Sequence, residues 1–350
     1  MHLQARRIFR LSAVFAASLA LAYALAVPLP FIAPVFAFML TATPGPPLGP
    51  KALFGLVLLL LLTTGVGLLL TPVLIHYPVT GVLLAALGIY LSFYLTVHLG
   101  KGLVGAFLAV GVALISAAGL ASYELAVIVV HSLVVGVVIA VVCQWIVYPW
   151  FPEDEGPAQR PPPKPGAEDS KWIALRATLI LLPVYLIALS NPAMYLATIM
   201  KTVSLSQQSS LVDARSAGRE LIGSTFLGGC FAVLMWASLG ICTNLWMFFW
   251  LTLLVGIYFS AKLYRLLASR FPASFWLNVA VTMLILLGPA VEDTDSGKDV
   301  YTAFAVRMGL FFAVTLYAWL AVSALDWLRE RRRLKRRCSP PPAEPAPLPP

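Results

Sequence analysis

Charge is scarce in this sequence. Of 350 residues, 24 are Lys or Arg and 15 are Asp or Glu, so charged side chains make up 11% against 60% hydrophobic. The mean hydropathy is +0.89. A soluble domain of this length cannot cover its surface with so few polar groups, which excludes a water-soluble fold. Cysteine is scarce too. The four cysteines, Cys143, Cys230, Cys242 and Cys338, lie far apart with no CxxC and no companion histidines, so neither a disulfide framework nor a metal site is expected. There is no phosphate loop, nucleophile elbow, HExxH or acid pair, so no cofactor is expected and the chain does not read as an enzyme. Nor does any polar stretch reach the size of an ATPase or sensor module. Acids are missing from the apolar runs: Glu124, Asp213 and Glu220 fall at their edges, which leaves carboxylate-driven ion coupling without an obvious carrier.

What is present is one apolar run after another, each long enough to approach a hydrocarbon core of about 30 Å. Spans are predicted near 8–26, 30–43, 51–73, 79–97, 102–119 and 123–148. A second six follow near 171–190, 192–206, 220–240, 244–264, 275–290 and 301–326. The first run, after Arg6-Arg7, also has the form of a signal peptide. It is taken as a span because apolar segments keep following it.

The two sets echo each other. Lys51-Ala-Leu-Phe-Gly55 recurs as Arg219-Glu-Leu-Ile-Gly223, and Gly88-Ile-Tyr90-Leu-Ser92 as Gly256-Ile-Tyr258-Phe-Ser260, both at an offset of 168 (219 − 51 and 256 − 88). Arg10-Leu-Ser-Ala and Arg176-Ala-Thr-Leu add weaker support. The expected fold is an all-α polytopic membrane protein of about twelve helices in two parallel six-helix repeats. An even number of spans per copy puts the pseudo-symmetry axis along the membrane normal. The repeats are expected over 1–149 and 171–327, with a proline-rich linker over 150–170 and a basic, then proline-rich, tail over 328–350. Lys and Arg gather on the side of both termini, while Glu124 and the acidic turn 292–299 lie opposite, so both termini are expected in the cytoplasm. The net charge of +9 then reflects topology and gives no reason to expect nucleic acid as a partner. The basic tail suits anionic lipids or stop-transfer anchoring.

The second span of each copy is short and bounded by proline: Pro28, Pro30 and Pro34 in the first, Pro192 in the second. Short or broken helices at matching places in two repeats point to a transport site, because their ends leave N–H and C=O groups for a ligand. Tight packing against longer helices is the bland alternative. Lys201 falls midway along the second short span with Thr202 beside it and no acid within four residues. A lysine at that depth costs about 2.5–3.5 kcal/mol and calls for a partner or a wet cavity, unless it snorkels to the interface. Arg307 sits about a third of the way into the last span and His131 comparably in the sixth, which makes them candidates for substrate charge and for proton transfer. Arg10, Lys51, Arg176 and Arg219 fall at cytoplasmic helix ends, where they could form a positive mouth for anions or merely anchor topology. Tyr90 and Tyr258 follow Gly88 and Gly256 and either line the path or serve helix packing.

An early Arg, a Pro-containing short second span, Lys51-x-x-x-Gly55 and Gly88-Ile-Tyr90 together resemble the fusaric-acid-resistance-type membrane module. That module is related to aromatic carboxylic acid efflux proteins and more distantly to plant malate channels. The resemblance spans both halves, about 5–150 and 171–327. It implies efflux of small, often aromatic, organic acids from a bacterial inner membrane, with a separate periplasmic adaptor of the membrane-fusion type. Efflux members commonly carry a sizeable cytoplasmic domain between or after their repeats, where this chain has a short linker. A passive anion channel is the alternative function. A membrane enzyme would need clustered acids or histidines at one interface, and a non-transporting scaffold gives no reason to bury Lys201 and Arg307. The sequence leaves the oligomeric state open.

Overall fold

The computed structural model describes residues 3–154, 166–209, 214–241, 243–295 and 300–338. Among them every regular element is a helix, and twelve follow one another: α1 (Leu3–Ala24), α2 (Ile32–Ala42), α3 (Pro50–His76), α4 (Pro78–His98), α5 (Gly102–Ala121) and α6 (Tyr123–Val147), then α7 (Ala167–Ser190), α8 (Pro192–Ser209), α9 (Ala214–Ile241), α10 (Leu245–Leu263), α11 (Ala273–Asp295) and α12 (Val300–Cys338). Ten are long and apolar enough to cross a membrane. The exceptions are α2 and α8, the two flagged in the sequence. α2 has 11 residues and reaches about 17 Å. α8 is longer than expected: its 18 residues reach about 27 Å, and it falls short in hydropathy instead.

Local chemistry sets the breaks. Pro50, Pro78 and Pro192 open their helices at the first position, where a missing N–H is harmless. Ser122 caps α6 by accepting a hydrogen bond from the Leu125 N–H at 3.0 Å, and Asn244 caps α10 through the Trp246 N–H at 3.0 Å. The end of α10 is closed by Arg265 in a left-handed conformation, φ 57°, which costs a non-glycine residue roughly 1–2 kcal/mol.

The boundaries move in three places. Residues 151–154 belong to the packed fold rather than to the linker, since Glu153 and Asp154 pair with α1. α7 already begins at Ala167, and α12 runs on through the basic segment to Cys338. The remaining linker, 155–165, the proline-rich end 339–350, Asp213, Cys242 and part of the acidic turn (296–299) lie outside the described residues.

The helices of one set pack on those of the other in reciprocal fashion. α1 lies along α10 and α7 lies along α4, the first helix of each set against the fourth of the other. In the same way α2 meets α11 and α8 meets α5. α5 and α11 are the most enclosed of the spans, whereas α3 and α4 turn Phe54, Leu62, Leu69 and Leu83 outward as a membrane-facing surface. α5 contains one π-helical turn, Gly111–Ile115, pressed against α3. A Cβ on Gly67 would lie 1.9 Å from the Gly111 carbonyl oxygen, and one on Gly111 would lie 2.1 Å from that of Thr63. Gly67→Ala is therefore expected to lower stability by about 1–3 kcal/mol, because backbone must shift to admit the methyl group. Gly55→Ala, with nothing within 4 Å of the new atom, should be neutral or stabilising by up to about 1 kcal/mol. Thermal unfolding of both variants in one detergent checks the contrast.

Candidate functional site

α8 carries Lys201 into a polar cluster with no charged partner. The lysine is fully buried, and its Nζ donates to Thr282 Oγ1 at 2.6 Å and Asn278 Oδ1 at 3.1 Å, both on α11. Asn278 in turn donates from Nδ2 to Ser224 Oγ of α9 at 2.5 Å, and Thr282 donates to the Asn278 carbonyl. Thr202, also fully buried, bonds back to the Thr198 carbonyl at 2.6 Å. Among the described residues Lys201 joins no ion pair, and snorkelling is excluded by its burial. Neutral dipoles therefore hold the ammonium, an arrangement that solvates a cation while leaving its charge uncancelled.

On the same helix, the residues before Lys201 wall a cavity of about 770 Å³, the size that accommodates a drug-sized ligand. Its walls come from both sets of helices. Leu29 and Phe31 from the turn before α2, Leu114 from the π-turn of α5, and Leu125 and Val129 of α6 form one side. Met194, Ala197 and Met200 of α8 form the other, with Asp293 of α11 and Arg307 of α12 at a polar corner. Met200 precedes Lys201, and from there on Lys201, Thr202, Leu205 and Ser206 are all fully buried. Lys201 and its partners Asn278, Thr282 and Ser224 are not wall residues; α8 passes from the chamber wall at Ala197 and Met200 into packed protein at Lys201.

The expected site residues divide into groups. Pro30 and Pro34, both buried, hold the turn and first turn of α2 around the wall residue Phe31, and Pro192 starts the helix that carries Lys201. Arg307 does line the chamber, but as half of an ion pair: its guanidinium meets the Asp293 carboxylate at 2.6 Å. The acidic turn beyond Pro289 is thus partly helix, and it supplies the partner that the sequence reading missed. His131 is not brought near Arg307. It lies two residues, about 200° around the helix, from the wall residue Val129, on an exposed face. Tyr90 stacks on Tyr94 with ring centroids 6.2 Å apart, and Tyr258 packs on Phe231 and Trp276. Neither is among the chamber's wall residues.

The four cations expected at a positive mouth part company as well. Lys51 and Arg219 are exposed. Arg10 is fully buried, paired with Glu153 at 2.6 Å and stacked over Tyr148 at 4.5 Å. Arg176 is paired with Asp326 at 2.7 Å. These two arginines have their charge compensated, so the mouth as first drawn reduces to Lys51 and Arg219. Arg10 thereby ties α1 to the chain that follows α6, and Arg176 ties α7 to α12.

Residues 7–147 match the model of a family described as a protein of unknown function (DUF2955). The match covers the first set of helices. No curated protein and no solved structure matches the chain. The chain is a multi-pass helical membrane protein, and its first half is similar to that family.

Proposed function

We propose that this protein is a membrane carrier for organic anions with an apolar body, aromatic carboxylates being the simplest, and that the duplicated sets of helices move against each other around α8. One observation carries this reading: the helix that walls a chamber shared by both sets, through Ala197 and Met200, next carries a fully buried lysine held, among the described residues, by neutral oxygens. An ammonium so held keeps its attraction for an anion that reaches it, and the apolar walls suit the rest of the molecule. The full burial of Lys201, Thr202, Leu205 and Ser206 on α8 favours a carrier over the passive channel, which would need a continuous pore. The reciprocal packing of first on fourth helices supports the duplication, and the distribution of Lys and Arg supports a cytoplasmic position for both termini. On that orientation the chamber faces away from the cytoplasm. A place in the bacterial inner membrane and a periplasmic adaptor belong to the same proposal and rest on the family resemblance.

No proton needs to be carried in this scheme. A monovalent anion leaving a cell gains about 2.3 kcal/mol per 100 mV of inside-negative potential. Proteoliposomes loaded with labelled hydroxybenzoate or naphthoate should therefore release it faster when a potassium diffusion potential makes the interior negative, with saturable dependence on concentration. Ala303→Trp, which fills the chamber wall on α12, should stop this release with the fold intact. Absence of saturable movement of both acids under either polarity rejects the organic-anion carrier.

A further inference from the structure

The connection between α10 and α11 departs from its counterpart in the first set. Three residues, 99–101, join α4 to α5, whereas nine, 264–272, join α10 to α11. Both connections begin with a left-handed residue two positions after the helix: Gly100, φ 69°, in the short one and Arg265, φ 57°, in the long one. At Arg265 the helix end is a complete Schellman arrangement, with the Leu266 N–H donating to the Ala261 carbonyl at 2.9 Å and the Arg265 N–H to the Lys262 carbonyl at 3.2 Å. That position strongly favours glycine. Here an arginine holds it.

The rest of the loop is pinned. Ser269 Oγ accepts from the Phe271 N–H at 3.1 Å and from the Trp276 indole N–H at 2.9 Å, and Lys262 Nζ donates to the Ala268 carbonyl at 2.9 Å. Between this loop and α9 is a shallow cavity of about 500 Å³ bordered by Arg265, Arg270, Ser269 and Glu220. On the same loop Leu266 and Leu267 are 56% and 44% exposed. Two arginines at a cleft and two bare leucines next to them, at the end of membrane-crossing helices, match the boundary between headgroups and acyl chains.

We propose that the 264–272 loop and the start of α9 form a binding site for an anionic phospholipid of the phosphatidylglycerol type. Arg265 and Arg270 hold the phosphate, whose oxygens match the guanidinium fork. Glu220, the one acid among the described residues that border the cleft, accepts hydrogen bonds from the headgroup hydroxyls, and Leu266 and Leu267 enter the acyl region. A free phosphate or a soluble acid would account for the arginines and leave the leucines without a role. The site is separate from the chamber and does not depend on the carrier reading.

Arg265→Gly separates a structural role from a lipid-binding one, because glycine suits the backbone and removes the cation. The full-length protein is purified in detergent with phosphatidylcholine alone or with added phosphatidylglycerol, and thermal unfolding is followed together with native mass spectrometry of bound lipid. Phosphatidylglycerol is expected to raise the wild-type midpoint by several degrees and to remain bound. Arg265→Gly is expected to be at least as stable as wild type in phosphatidylcholine, yet to lose most of the added increment, with lipid affinity reduced roughly fivefold per arginine removed. Arg265→Gly with Arg270→Gln should abolish it. Soluble glycerophosphoglycerol should give wild type no increment. An undiminished increment in Arg265→Gly places the lipid elsewhere, such as the basic end of α12, and overturns the site. An equal increment from the soluble headgroup makes it a site for free anions and overturns the lipid assignment.

Discussion

Lys201→Met is expected to leave the protein folded, with a stability close to that of wild type, while reducing transport by about a hundredfold or more. The two halves of that expectation come from the same geometry. Lys201 is fully buried among Asn278, Thr282 and Ser224, and none of these neutralises its charge. Replacing a buried ion by an apolar residue of similar length often leaves stability unchanged or raises it by about 1–4 kcal/mol, because the desolvation penalty disappears. Asn278 keeps its donated bond to Ser224 and Thr282 its bond to the Asn278 carbonyl, but Asn278 Oδ1 loses its donor Lys201, which offsets the gain by about 1–3 kcal/mol. If the lysine were only a staple between α8 and α11, methionine would loosen the bundle and transport would fall only as far as folding fell. If it is the anion's counter-charge, folding and transport part company. Thermal unfolding and flux measured on the same preparation decide the matter: a variant that transports at the wild-type rate removes Lys201 from the mechanism. Lys201→Arg keeps the charge but forces a larger, planar group into a filled cluster, and should retain weak transport at a cost of about 1–3 kcal/mol in stability.

Much of the fold was legible because the relevant signal is local. Twelve apolar runs, the proline at the head of α8 and the low apolarity of α8 are properties of consecutive residues, and the helices fall close to where those runs place them. Lys201 was legible for the same reason: a charge inside an apolar run needs no partner to be noticed. Its partners were not. Asn278 and Thr282 lie 77 and 81 positions away. The only trace they leave is an amide and a hydroxyl one turn apart within the otherwise apolar start of α11. Ion pairing was the larger loss. Arg10, Arg176 and Arg307 each read as an available cation, and each is matched by an acid, Glu153, Asp326 or Asp293, that sits at or just past the edge of an apolar run. Glu153 was assigned to the linker, and Asp293 to an acidic turn. The chain just past the apolar run decided both: α11 stays helical to Asp295, and a turn after α6 folds Glu153 back against α1.

Glu153→Ala should be among the most destabilising single changes outside the apolar core, with a loss of about 3 kcal/mol. Arg10 is fully buried, and Glu153 accepts from both Arg10 and Arg7 while itself 12% exposed. Removing the acid leaves a guanidinium in the protein with only the Phe151 carbonyl at 3.4 Å and the Tyr148 ring to receive it, and breaking a buried pair from one side costs about 3–5 kcal/mol. The lower end applies here because Glu153 is not fully enclosed. Asp154→Ala provides the contrast. Its pair with Arg6 has side chains 22% and 57% exposed, and such pairs contribute about 0–1 kcal/mol. The dependence on pH has a definite sign. Burial pushes the Glu153 carboxyl up, but its hydrogen bonds to Arg7 and Arg10 outweigh burial and hold it below the ordinary carboxylate value. A carboxyl lowered on folding adds stability that is complete above its unfolded value, about 4.3, and is lost as pH falls through the lowered folded value. The gap between wild type and Glu153→Gln in thermal unfolding should therefore be constant from neutral pH down to about pH 5 and close in more acid solution. A gap that persisted unchanged at pH 3 would show that the pair contributes through packing rather than through charge. Asp326→Ala, which removes the acid paired with the buried Arg176, is expected to lower stability in the same direction as Glu153→Ala, because each pair holds the first helix of its set.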